Sequence, residues 1–263
     1  MQMPAVGLGT WQLVGQACRN AVEQALVLGY RHIDTAAGYD NEADVGEGIR
    51  RSGVPRDRVF VTTKVWVEDL DAAAVQRSCE ESLRRLELEW VDAMLVHWPP
   101  QRVPIEVSLE ALFELQRRGT IRHVGVSNFP SRQLASALMV GPIACNQVEY
   151  HPYLGQPKLA AFTRSQGVTI SAYCPLARGA IVDDPVLMEI AFRHGKSPAQ
   201  VSLRWLLQQP NTTVIVKAAR ADHQRRNLDV FDFELDDAEM QTIHGLATGL
   251  RLCDFPWAPR WED

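Results

Sequence analysis

Apolar residues come in short runs along this chain, and three of the early runs each close on one polar, ionisable side chain. Asp34 ends Gly29-Tyr30-Arg31-His32-Ile33-Asp34, Lys64 ends Val59-Phe60-Val61-Thr62-Thr63-Lys64, and His97 ends Val91-Asp92-Ala93-Met94-Leu95-Val96-His97. Their length and their β-branched or aromatic content mark all three as strands, and helical patterns follow them. The segment 41–52 reads as a helix ended by Gly53-Val54-Pro55. The next helix covers 71–86, with Ala72, Val75, Cys79, Leu83 and Leu86 close to helical spacing. After Trp98-Pro99-Pro100 a helix runs over 105–118, then a strand over 121–127, and Ser131 is the expected N-cap of the helix beyond it. Strand signals at 144–150, 168–174 and 212–217 bring the count to seven, and Ala5–Leu8 supplies the first of eight. Eight strands alternating with helices predict an α/β fold, a closed (β/α)8 TIM barrel. A doubly wound open sheet shares the alternation. Against it, Gly7-Leu8-Gly9-Thr10-Trp11 carries only the first two glycines of a dinucleotide-binding fingerprint.

Composition changes this picture little. The 263 residues suit one barrel domain over 1–263, with no low-complexity linker or charge run to divide it. A net charge of -5 argues against nucleic acid as a partner. The five cysteines are odd in number and contain no C-x-x-C pair, so they read as thiols of a reducing compartment. Met1-Gln2-Met3-Pro4 lacks the basic start of a signal peptide, and no apolar stretch approaches membrane-spanning length. The seven histidines include no H-E-x-x-H or comparable metal spacing. The expectation is a cytoplasmic monomer with no metal and no membrane partner.

In a parallel barrel the C-terminal strand ends share one mouth. Asp34, Lys64 and His97, with Tyr39 in the turn after the first strand end, therefore predict a proton-transfer site. Taken singly, each has a bland explanation: a packing tyrosine, a solvated lysine, a satisfied core histidine. Together their roles interlock. A free tyrosine titrates near pH ~10, and a neighbouring ammonium favours its phenolate. Lys64 supplies that ammonium, Asp34 keeps it charged and oriented, and His97 donates to or aligns a substrate oxygen. Such a set protonates an alkoxide as it forms, which carbonyl reduction by hydride transfer requires. A Schiff-base aldolase using Lys64 is a rival reading of the same lysine.

Four motifs carry a resemblance to a known family. Gly-Tyr-Arg-His-Ile-Asp-Thr-Ala-Ala-Gly-Tyr-Asp-Asn-Glu over 29–42, Thr62-Thr63-Lys64-Val65-Trp66, Leu95-Val96-His97-Trp98-Pro99 and Gly125-Val126-Ser127-Asn128-Phe129 resemble, in order, the signatures of the aldo-keto reductases. Within that family the chain is most similar to the bacterial 2,5-diketo-D-gluconate reductases. The resemblance implies a barrel with NADPH as cofactor, NADH being accepted as well, and a small-molecule carbonyl as substrate. Keto-sugar acids, methylglyoxal and β-keto esters are the implied substrates. It makes Tyr39 the proton donor, tuned by Lys64 and Asp34, with His97 orienting the carbonyl. Ser127, Asn128 and Gln147 would hold the nicotinamide carboxamide and Tyr173 would stack on the ring. Thr10, Trp11 and Asp34 would flank that end, and Leu176 would line the pyrophosphate. Trp11, Trp66 and Trp98 would wall the substrate. A member that binds cofactor without turnover, as a sensing protein, is the other alternative.

The chain departs from the family around Val214 to His223. Where NADPH-using members usually have Ile-Pro-Lys-Ser and a later Arg, it keeps Lys217 but has Val216, Ala218 and His223. Asn227 matches the residue that reads adenine. Losing a hydroxyl and a guanidinium weakens the grip on a 2′-phosphate, and Arg220, Arg225 and Arg226 are neighbours that could compensate or simply form a solvated helix face. The loop after Trp98 and the tail after Leu246 are short, predicting an open mouth with Arg251 and His123 nearby and suited to small polar carbonyls. The N-terminal hairpin usual in the family is expected to be shortened, with Met3-Pro4 where its second strand begins.

Overall fold

The computed structural model describes residues 3–261. Eight parallel strands close on themselves in sequence order: β1 (Val6–Gly9), β2 (His32–Asp34), β3 (Phe60–Val65), β4 (Val91–Val96), β5 (Ile121–Ser127), β6 (Cys145–Glu149), β7 (Thr169–Tyr173) and β8 (Thr212–Val216). Ring closure comes from β1 pairing with β8, Gly7 opposite Ile215. Ten helices belong to the described residues. α1 (Gly15–Leu28), α2 (Glu42–Arg51), α3 (Ala72–Leu86), α4 (Ile105–Arg117), α5 (Ser131–Val140) and α6 (Pro157–Ser165) each return the chain to the next strand. α7 (Pro185–His194) and α8 (Pro198–Leu207) lie between β7 and β8, and α9 (Ala221–Leu228) and α10 (Asp237–His244) follow β8. No helix among these residues is long and apolar enough to cross a membrane.

Alternation along each strand sorts side chains between two environments. In β3, Val61 and Val65 belong to the buried apolar layer that the strands share with the helices, together with Val75 and Cys79 of α3. The alternate residues Phe60, Thr62 and Lys64 face the barrel interior. There Phe60 packs beside Ala93, Leu95 and Cys145 and meets His32 edge-on, with Met3 packed against the same cluster. Polar residues enter the interior at both ends: His32 and His123 meet Phe60 at the N-terminal end, and the ionisable pair Asp34 and Lys64 lies towards the C-terminal end. Helix ends follow their local chemistry: Asp71 caps α3 by accepting from the Ala74 amide, and Ser197 with Gln200 forms a capping box on α8.

Strand and helix limits depart from the sequence expectation by one or two residues, the ordinary fraying of element ends, except that β2 opens only at His32, three residues into the run expected from Gly29. Two expectations need correcting. Ser131 is the first residue of α5; the cap position is Pro130, and no side chain caps that end. His123 lies opposite Ala93 towards the start of β5, stacked on Phe60, so it sits at the closed end of the barrel and not at the mouth. Met1 and Gln2 of the N-terminal segment fall outside the described residues. Met3 and Pro4 precede β1 without forming a strand.

Candidate active site

The strand register brings the predicted residues to one end of the barrel. Asp34 is the last residue of β2, Lys64 the penultimate residue of β3, and His97 follows directly on β4. Tyr39 ends a single 3-10 turn over Ala37–Tyr39. The Lys64 ammonium donates to Asp34 Oδ1 at 2.6 Å and to the Thr35 carbonyl at 2.8 Å, and lies 3.4 Å from the Tyr39 hydroxyl. Gln147 Nε2 donates to the other carboxylate oxygen of Asp34 at 2.7 Å. The His97 ring meets Tyr39 edge-on at 5.6 Å and Trp66 edge-on at 5.2 Å.

Burial sets the electrostatics. Lys64 is 0% exposed. Desolvation alone would push its ammonium down, but Asp34 and the Tyr39 hydroxyl more than offset this, and its pKa lies above the ordinary lysine value. Lys64 is therefore a fixed cation. Burial also acts on Tyr39 and raises its pKa; Lys64 draws it back only in part. This corrects the expectation that the ammonium carries the phenol below its usual value: here the cation offsets a desolvation that is larger. His97 is driven well below an ordinary imidazole by burial and then by the Lys64 charge. Its Nδ1 is buried without a hydrogen-bond partner among the described residues. A buried N–H without an acceptor is costlier than a bare lone pair, so the neutral ring carries its proton on Nε2.

These groups edge a cavity of about 670 Å³, within the usual range for a small-molecule site. Thr10, Trp11, Asp34, Tyr39, Trp66, His97 and Trp98 line it, as do Ser127, Asn128, Gln147, Tyr173, Leu176 and Lys217. Lys64 lies behind this surface. Ser127 Oγ donates to the Gln147 carbonyl, Asn128 Nδ2 donates to the His97 carbonyl, and Tyr173 OH donates to Asn128 Oδ1 at 2.8 Å, so one network fixes the floor. Asn128 holds its place with φ +64°, the left-handed region that asparagine tolerates better than most residues. His223 and Asn227 lie outside the cavity. His223 is exposed on α9 with Nε2 3.9 Å from Asp222, and Asn227 is buried. Arg220 is likewise tied to Asp222. Arg251 stacks on Trp261 at 3.7 Å and does not line the cavity. Among the described residues no group of three or more His, Cys, Asp or Glu could hold a metal ion.

Several residues that shape the site carried no individual signal in the sequence. Asn41 is buried; its amide donates to the Thr10 and Leu13 carbonyls and its oxygen accepts from Thr35 Oγ1. It thereby ties the loop after β1 to the loop after β2, and its place inside the 29–42 motif was the only hint. Gly38 lets Trp66 close over the 3-10 turn, since a Cβ there would stand 2.6 Å from the indole. The tail also does more than its brevity suggested. Phe255 and Trp257 line the cavity, stacked on each other at 5.2 Å, and Phe255 meets Trp98 edge-on. The carboxylate of Glu149, at the end of β6, accepts from the Leu252 and Cys253 amides and from His151 Nε2, which holds the tail in place.

Comparison with known proteins agrees with this fold. The sequence profile of the Aldo/keto reductase family matches residues 5–248. Methylglyoxal reductase DkgB of Escherichia coli O157:H7 is 38% identical, with all of both chains covered. An aldo-keto reductase of Mycolicibacterium smegmatis is 41% identical over 95% of this chain and 92% of its own. Among solved structures, a "putative 2,5-diketo-D-gluconic acid reductase B" superposes with a TM-score of 0.97 at 44% identity, covering 99% of this chain and 94% of that one. The aldose reductase of Schistosoma japonicum superposes at 0.95 with 33% identity, covering 100% and 97%.

Proposed function

The chain belongs to the aldo/keto reductase family, and from that premise we propose that it reduces small aldehydes and ketones to alcohols with NADPH, NADH serving less well. The observation that carries this reading is the Asp34–Lys64–Tyr39 chain, with His97 facing Tyr39 across the same cavity. A nicotinamide coenzyme, when bound, supplies the hydride. The residues present fit it: Ser127, Asn128 and Gln147 offer amide and hydroxyl groups for a carboxamide, Tyr173 offers a ring fixed by its bond to Asn128, and Lys217 offers a cation for phosphate. Tyr39 holds the proton that the substrate oxygen receives, and Lys64 stabilises the phenolate left behind. His97, neutral and protonated on Nε2, donates to the same oxygen and aligns it. Trp11, Trp66 and Trp98, closed in by Phe255 and Trp257, exclude water from the reacting end.

The compact aromatic wall and the Arg178 cation at the cavity favour small carbonyls bearing polar or acidic groups, such as methylglyoxal, keto-sugar acids and β-keto esters. Names of relatives at 38–44% identity support this class. All the groups invoked come from one chain, which supports a working monomer, and the thiols fit a reducing cytoplasm. A Schiff-base aldolase would need a lysine with a lowered pKa, whereas that of Lys64 is raised.

The test is coenzyme oxidation with methylglyoxal, a β-keto ester and a keto-sugar acid, each with NADPH and NADH. Tyr39→Phe is expected to lose about a hundred- to ten-thousand-fold in kcat with coenzyme affinity nearly unchanged. Lys217→Ala is expected to erase the NADPH preference and His223→Ala to leave it. No turnover of any of these carbonyls with either coenzyme would refute the reading.

A further inference from the structure

Two thiols meet at the rim of the cavity. Cys174 follows Tyr173 at the end of β7 and is held at φ +51°, and Cys253 lies on the C-terminal tail; their sulfurs are 3.9 Å apart. The fold fixes this meeting from both sides. Tyr173 pairs with Glu149 in the β6–β7 ladder, and the Glu149 carboxylate accepts from the Cys253 amide at 2.9 Å and the Leu252 amide at 2.8 Å. Both cysteines thus hang from the same two strand ends. Arg178 Nη2 stands 3.5 Å from the Cys253 sulfur, and both thiols line the cavity, where a small solute can reach them. Cys18, Cys79 and Cys145 are instead buried in packing, their thiols pushed up to about 12, 11 and 12 by burial.

We propose that Cys174 and Cys253 form a dithiol which hydroperoxides convert reversibly to a disulfide, cross-linking the C-terminal tail to the barrel rim. The Cys174 S–H, and after it the Arg178 guanidinium, holds the Cys253 thiol below its ordinary value, while Cys174 keeps its proton. The Cys253 thiolate therefore reacts first. Its sulfur attacks the peroxide, an S–O bond forms, the O–O bond breaks, and the expelled oxygen takes a proton to leave as water or an alcohol. Cys174 then attacks the sulfenic sulfur; the S–S bond forms, the S–O bond breaks, and the hydroxide leaves as water with the Cys174 proton. Two electrons pass from the thiols to the peroxide. The sulfurs must close to about 2.05 Å, and the tail supplies this movement more readily than the end of β7. Because Phe255 and Trp257 lie two and four residues after Cys253, the bond fixes one wall of the cavity against the other. The inference stands on the thiols and holds whether or not the reductase reading does.

The full chain is treated with hydrogen peroxide, free thiols are blocked without reductant, and trypsin is added. Peptide 165–178 linked to peptide 252–260 is expected, released by dithiothreitol, with Cys18, Cys79 and Cys145 recovered as free thiols. Cys174→Ser is expected to trap Cys253 as a dimedone-reactive sulfenic acid, and Cys253→Ser to leave Cys174 unlabelled. A link through any other cysteine would overturn the proposal. So would oxidation of wild-type Cys253 to sulfinic acid with Cys174 still free.

Discussion

A phenol buried beside a fixed ammonium keeps its proton to higher pH than a free tyrosine, and that governs how the site answers pH. Tyr39 acts as an acid only while protonated, and its pKa is raised; reduction should persist through neutral pH and fail as pH rises through that value. His97 stays neutral until well below pH ~6.5, so kcat/KM should show no inflection where an ordinary imidazole titrates, and a clear step there would refute its assignment. Lys64→Met removes the only pull that lowers the phenol, and should cost turnover about as much as Tyr39→Phe. His32 makes a stability prediction. It is fully buried, hydrogen-bonds among the described residues only to Thr62 Oγ1 at 2.9 Å, and burial lowers its pKa to about 4. The unfolded chain has a pKa of ~6.5 and so takes up the proton first. The contribution is whole above pH ~6.5 and shrinks as pH falls towards 4, by about 3 kcal/mol in all. Unfolding free energies from urea titrations of wild type should fall by this amount relative to His32→Leu as pH is lowered across that range.

At the scale of elements, packing overrules propensity in α2. Gly46 is interior to the helix, where alanine would ordinarily stabilise by about 1 kcal/mol. A Cβ there, however, would stand 2.2 Å from the Leu86 carbonyl oxygen at the end of α3, a backbone atom that cannot rotate away. Gly46→Ala should therefore destabilise, by about 1–3 kcal/mol, read from denaturant midpoints at unchanged m. The tail gives a second test. Glu149→Ala strips the acceptor from two backbone amides and from His151, and hydrogen bonds to a charged group contribute about 1.5–3 kcal/mol each. Faster hydrogen exchange at Leu252 and Cys253 is expected, with a raised KM as Phe255 and Trp257 lose their place. Strand and helix order was readable at this scale because alternation and helical spacing are local. The Ser131 cap was not, because Pro130 already sets the chain direction into α5.

The whole molecule assembles its cavity from both ends of the chain, from Thr10 after β1 to Trp257 in the tail. A ligand seated there is expected to bind only the closed ring, so NADPH at a hundred times its Kd should stabilise the fold by about 2.7 kcal/mol, seen as a rise in Tm that Lys217→Ala reduces. The sequence by itself determined the barrel and the four ionisable residues at its mouth. Strand periodicity places a residue at a strand end, and parallel strands bring like ends together. What it could not supply was anything that depends on which distant atoms meet. Burial, a property of the packed molecule, decided that Tyr39 titrates high despite Lys64. Register placed His123 at the closed end. Helix position left His223 in solvent beside Asp222, and the Glu149 carboxylate drew the tail, and Cys253 with it, onto the rim beside Cys174. Periodicity acts within about ten residues, whereas these outcomes rest on how segments far apart in the chain pack against one another, which is settled only once the ring has closed.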